Sequence, residues 1–148
     1  MGIKLRPTMK AMRVLMPAFL LCMLNAPSTL ACTLPDNADA TVNDVTVNKG
    51  DLLVSINFLP KTLEIGSLHS LMVHVCRKDN QPFAGKIKAD AIMPAHNHGM
   101  NYQPRFTVEE PGQFKGTGFV FHMPGVWRLR LTLESDSQKT LIEHDFLL

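Results

Sequence analysis

The segment Trp127-Arg128-Leu129-Arg130-Leu131-Thr132-Leu133-Glu134 alternates apolar and polar side chains without a break. Successive side chains of an extended chain point to opposite faces, so this period of two predicts a strand with one dry and one wetted face. The turn pair Pro124-Gly125 opens it, and Ser135-Asp136-Ser137 closes it. Working outward, the same pattern returns at short intervals. Leu141 to Leu148 predict a last strand after it. Before it, Phe119 and Phe121 face one way with Val120 and His122 opposite, and Phe106 and Val108 belong to a strand closing at Pro111-Gly112.

Further toward the N-terminus, Ile87, Ala89, Ala91 and Met93 alternate with Lys86, Lys88 and Asp90, following the turn Asp79-Asn80-Gln81-Pro82. Leu71, Val73 and Val75 oppose Ser70, Met72, His74 and Cys76. Val54, Ile56 and Phe58 alternate with Ser55 and Asn57 until Pro60, and Val45 and Val47 suggest a short first strand ended by Asn48-Lys49-Gly50. Nothing repeats every 3.6 residues over a helical length. About seven short half-buried strands, separated by turn residues, predict an all-β fold: an immunoglobulin-like antiparallel β-sandwich forming one domain over residues 32–148.

The first 31 residues read differently. Lys4, Arg6, Lys10 and Arg13 precede the apolar run Val14–Leu24, which is too short to span a bilayer of roughly 30 Å. A polar stretch then leads to Thr29 and Ala31, small residues that a leader peptidase accepts, which places cleavage after Ala31. The expectation is an exported, periplasmic protein. The leader takes four of the 15 basic residues and none of the 13 acidic ones, leaving residues 32–148 at a net charge of −2. The basic balance of the whole chain therefore belongs to the leader, and no nucleic-acid partner is expected.

Cys22 leaves with the leader, and Cys32 and Cys76 remain as an even pair in an oxidising compartment, where a disulfide is the default. Closing that loop stabilises the fold by roughly 4 kcal/mol on the chain-entropy account. The alternative is a lipoprotein, lipid-anchored in the cell envelope through Cys32. Leu30-Ala31-Cys32 hints at it, whereas Thr29 and the polar spacer between the apolar core and Cys32 argue against it.

Chemistry concentrates in Met93-Pro94-Ala95-His96-Asn97-His98-Gly99-Met100, with an echo at His122-Met123-Pro124-Gly125. Imidazoles at i and i+2 in an extended or bent segment can chelate one ion, and Asn97 and Gly99 are expected to keep that loop open and flexible. The thioether of Met100 is soft and favours copper, especially Cu(I), over calcium or magnesium. His122 is the natural third imidazole, provided its strand end lies beside the exit of the Ile87–Met93 strand. Met93 and Met123 share the parity of core positions and are expected to pack. His69, His74 and His144 have no neighbours suggesting a site, and Trp127 is expected to be a core anchor. The plain alternative for the loop is a turn whose histidines bond the backbone and cap the sandwich. There is no nucleophile elbow, phosphate-cradling loop, HExxH or Cys/His nucleophile pair, so an enzyme is not expected.

Taken with Pro111-Gly112-Gln113-Phe114, with Phe121-His122-Met123-Pro124-Gly125-Val126-Trp127-Arg128-Leu129 and with the turn Asp79 to Ile87, the histidine stretch resembles the YtkA-like domain family and its FixH-like relatives over roughly Leu52 to Leu133. The resemblance implies a small exported or membrane-tethered sandwich. FixH-like members are associated with assembly of copper-containing oxidases, so it also implies copper chemistry. This chain departs from FixH-like proteins in carrying a leader that reads as cleavable. The expectation is thus a non-enzymatic copper-binding or copper-handling protein, with His96, His98, His122 and Met100 as ligands and a copper-requiring envelope or respiratory protein as partner. The alternative is a metal-free accessory interaction domain of the cell envelope, touching the membrane only through a lipid on Cys32.

Overall fold

The computed structural model describes residues 1–2, 31–36, 40–136 and 138–148. Most of the expected leader, Cys22 included, lies outside the described residues. The ordered elements are β1 (Val45–Lys49), β2 (Leu52–Leu59), β3 (Leu68–Arg77), β4 (Lys86–Met93), β5 (His98–Gly99), β6 (Arg105–Glu110), β7 (Gln113–Val120), β8 (Val126–Glu134) and β9 (Lys139–Leu147). They form two antiparallel sheets of an immunoglobulin-like sandwich, ordered β1-β2-β3-β7-β6 and β5-β4-β8-β9. Nine strands stand where about seven were expected. The two residues of β5 are too few to show any period, and Gly116 and Gly118 hide the start of β7 ahead of Phe119.

The alternation of β8 decides the packing. Trp127, Leu129, Leu131 and Leu133 are buried, while Arg128 and Arg130 stand on the outer face in two-pronged ion pairs with Asp145 and Asp90. The Arg128 guanidinium, by its hydrogen bonds, holds the Asp145 carboxyl below its usual range. Opposite β8, the second sheet contributes Val54, Ile56, Phe58, Leu71, Val73, Val75 and Phe119. Burying each such side chain contributes roughly 1.5–3 kcal/mol, so the dry interior rather than surface ion pairing holds the two sheets together.

Phe121 is the hub at one end of this interior. Its ring centre lies 5.3 Å from Trp127, 5.1 Å from Phe146 and 6.3 Å from Phe58, each edge-on, the favoured aromatic geometry. At the other end Cys32 and Cys76 form the expected disulfide, with Cα atoms 5.5 Å apart. The Cys32 amide also donates to the Asn80 carbonyl at 2.8 Å, so the segment around Cys32 is tied to the β3 hairpin by bond and by backbone. A lipid thioether on Cys32 would require this disulfide to be absent.

Candidate metal centre

The end of β4 builds the first half of the site. Met93 is buried, as its parity requires, and its carbonyl accepts from the amides of His96 (3.1 Å) and Asn97 (2.9 Å), curling the chain back on itself. Asn97 completes the curl in the left-handed region at φ 52°, which Asn tolerates better than most residues. His98 and Gly99 then pair with Met93 and Ile92 as β5. The open, flexible loop expected from Asn97 and Gly99 is therefore a tight return held by strand pairing. Gly99 serves close approach rather than mobility: a Cβ there would lie 2.9 Å from the Ala91 carbonyl oxygen.

His122 arrives from the other sheet. The strand before it, β7, pairs with β3 and β6 and not with β4, so no strand pairing brings His122 to the end of β4. The residue sits instead in the connection that carries the chain across the sandwich from β7 to β8. That connection is fixed at three points: the Phe121 carbonyl accepts from Gly66 (2.7 Å), the Met123 carbonyl from Trp127 Nε1 (3.0 Å), and Gly125 exchanges backbone bonds with Leu148. Gly125 adopts φ 125°, and the Met93 methyl would lie 3.0 Å from a Cβ placed on it.

The two halves meet. The ring centre of His98 lies 5.2 Å from that of His122 and 5.9 Å from that of His96. Trp127 stands edge-on to both partners of the first pair, 6.2 Å from His98 and 5.5 Å from His122. It is fully buried, as expected of a core anchor, yet it also forms the wall on which the two histidine-bearing segments rest. Its position two residues after the Pro124-Gly125 turn was the available signal for that second role. His96 and His122 are exposed and His98 half-buried. The His98 Nδ1 sits 3.4 Å from the Gly99 carbonyl, a long contact.

With metal–nitrogen bonds of about 2.0–2.1 Å, two imidazoles on one ion have ring centres roughly 5–6 Å apart. Both histidine separations fall in that range, but His98 and His122 are stacked with planes 29° apart, which directs their nitrogens side by side. Among the described residues no group of three or more His, Cys, Asp or Glu is arranged to hold a metal ion. Met100 does not stand free in the loop as expected. It is partly buried against the core and lines a surface cleft with Ala91, Gly99, Tyr102 and Arg130. Met123 is likewise packed, partly buried, against the core.

The other three histidines lie elsewhere. His69 is buried, with Nε2 at 2.9 Å from the Glu64 carbonyl and its ring stacked 5.7 Å from Phe121. His74, on the outer face of β3, has Nε2 at 2.7 Å from Gln113 Nε2, and burial pushes its pKa down. Burial also lowers the pKa of His144, which shares the inward parity of Ile142 and Phe146. His69 Nδ1, His74 Nδ1 and His144 Nε2 are buried without a hydrogen-bond partner.

No family model matches the sequence, and no curated protein matches it. The similarity to the YtkA-like and FixH-like families thus rests on the motifs alone. Solved structures share the fold. A DUF4426 family protein from Pseudomonas aeruginosa superposes with a TM-score of 0.54 at 13% identity, covering 72% of this chain and 94% of that chain. A copper-bound variant of FetP from uropathogenic Escherichia coli strain F11 gives 0.51 at 10% identity, over 72% of this chain and 90% of that one. The as-isolated form of FetP, expressed in the periplasm, gives 0.51 at 11% identity, over 70% and 92%. At these identities the likeness is one of architecture: an all-β sandwich that spans nearly the whole of each of those chains.

Proposed function

We propose that the protein is an exported, non-enzymatic copper-binding protein whose ion is held by His96, His98 and His122. The observation that carries the reading is the 5.2 Å approach of His98 and His122, residues delivered by different sheets. A shared ion explains why two such segments present imidazoles at one point beside solvent. The donors suit copper chemically, since imidazole binds divalent copper and no carboxylate joins the cluster. The YtkA-like and FixH-like resemblance supports the same ion, and a copper-bound protein of this architecture is compatible with it. Delivery to a copper-requiring envelope or respiratory protein is the role such a surface site would serve.

A second reading has its own observation. The rings of His98 and His122 already find partners in each other and in Trp127, which a metal-free interaction domain would need no ion to explain. Titration with copper separates the two. Binding tighter than about micromolar, lost in a His96→Ala/His98→Ala double variant, supports the copper protein. Weaker binding, or binding indifferent to both substitutions, leaves the interaction domain. Mass spectrometry of the mature N-terminus reads export and the state of Cys32 directly: an unmodified, disulfide-bonded Cys32 is expected.

A further inference from the structure

We infer that the free edge of β6 pairs with the β6 of a second copy of this chain, joining two five-stranded sheets across a two-fold axis at Thr107. Among the described residues β6 ends its sheet, bonded to β7 on one side and to no strand on the other. Five of its six residues are exposed, Val108 at 66%. Such an edge offers a row of backbone N–H and C=O groups to any strand that matches it. The side chains of β6 match β6 itself.

Arg105, Thr107 and Glu109 share the outer face, where the Thr107 hydroxyl donates to Glu109 Oε1 at 3.0 Å. Phe106 and Val108 lie on the inner face. Phe106 packs against the core, its ring centre 6.3 Å from that of Phe119, and Val108 lines an apolar groove with Ile87 and Phe114. When two identical antiparallel strands continue one sheet, opposite residues share a face, so the axis passes through a residue rather than between two. Centred on Thr107, the pairing sets Arg105 against Glu109 twice, Phe106 against Val108 twice, and Thr107 against itself. Opposite charges, an aromatic with a β-branched residue, and two threonines are the cross-strand pairs that stabilise antiparallel strands. Among the described residues Arg105 has no ion pair within its own copy, so the charge is free to be matched across the axis.

The other edges do not match themselves. β1 holds Lys49 and no acidic residue, β5 has two residues, and β9 centred on its midpoint sets Glu143 against Glu143. The ladder from β6 to β7 is regular from Arg105 to Val108, and its one extra residue, Glu109, falls at the end of the paired segment. A two-fold contact of this kind is closed: each copy uses its β6 once, and the assembly stops at two.

The test is analytical ultracentrifugation of the purified, disulfide-bonded protein over a range of concentrations. Five paired residues make a small contact, so half-association is expected at about 10–100 μM, the affinity of a weak interface. Arg105→Glu and Glu109→Arg each set like charges opposite one another, and each should raise that concentration about tenfold or more. Both positions are exposed, so thermal unfolding should be unchanged. The double variant Arg105→Glu/Glu109→Arg should return association to within about threefold of the original chain. An equimolar mixture of the two single variants should associate where neither does alone, because each then supplies the charge the other needs. A chain that stays monomeric at about 1 mM overturns the pairing, as does a dimer that neither single swap weakens or that the double swap fails to restore.

Discussion

The six histidines divide into two groups of three that share a residue type and little else. At one end of the sandwich the His98 ring lies beside those of His96 and His122, and His98 and His122 stand edge-on to Trp127, with His96 and His122 exposed. His69, His74 and His144 are scattered through β3 and β9, each with one buried nitrogen that has no partner. The contrast teaches that proximity and exposure, rather than burial or an unpaired atom, mark the candidate site. A lone imidazole in a sheet is an amphipathic filler: its ring packs, one nitrogen finds a backbone or amide partner, and the fold tolerates the other. In the first group, by contrast, imidazole lies against imidazole beside solvent.

The largest test of this division is Trp127→Ala, because Trp127 joins both worlds. It supports the His98–His122 pair on one side and, through Phe121, the buried His69 ring on the other. Removing a fully buried tryptophan should cost about 3–5 kcal/mol in denaturant unfolding, and the surviving protein should lose copper binding as well. A variant that unfolds normally yet still binds would show that the wall is dispensable.

A paired substitution comes next. His69→Ala removes a buried ring and its bond to the Glu64 carbonyl, and should cost about 1–3 kcal/mol. His122→Ala, at an exposed position, should stay within about 0.5 kcal/mol in the same assay. Equal losses would erase the distinction between the two groups.

The smallest effect is in pH. Burial lowers the folded-state pKa of His74 and His144 below the unfolded value of about 6.5, so the unfolded chain binds more protons on acidification. The stability these groups contribute is complete above that value and is lost as pH falls through it toward their folded-state pKa. Both are partly buried rather than sealed from water, so the slope is shallow. A His74→Gln/His144→Gln variant should flatten the fall of the unfolding midpoint as pH drops below about 6.5, whereas His122→Ala should leave the wild-type slope in place.

Much of the fold was legible because strand burial is a local property. Leu129, Leu131 and Leu133 had to face one way whatever they packed against, and Met93 went to the core on parity alone. Period two also put Trp127 inside. The candidate site was legible only as a set of residue types. The two-residue β5 carries no period, and Gly99 gives the same letter whether it loosens a loop or admits a neighbouring carbonyl. Met100 read as a free thioether because nothing local distinguishes a loop methionine from one drawn against the core.

By itself, then, the amino-acid sequence determined an antiparallel sandwich, the pairing of Cys32 with Cys76 as the default, and the short segments in which its histidines lie. Each follows from the period of side-chain direction along an extended chain or from counting the cysteines left once an expected leader is set aside. Only the tertiary structure decided that His98 and His122 stand 5.2 Å apart, since His98 is paired to β4 while His122 lies in the crossover from β7 to β8, which no strand register encodes. It also decided that Met93 is buried and that Met100 and Met123 lie partly buried against the core. Which face of a loop is dry depends on what the rest of the chain lays over it, and here that is Trp127.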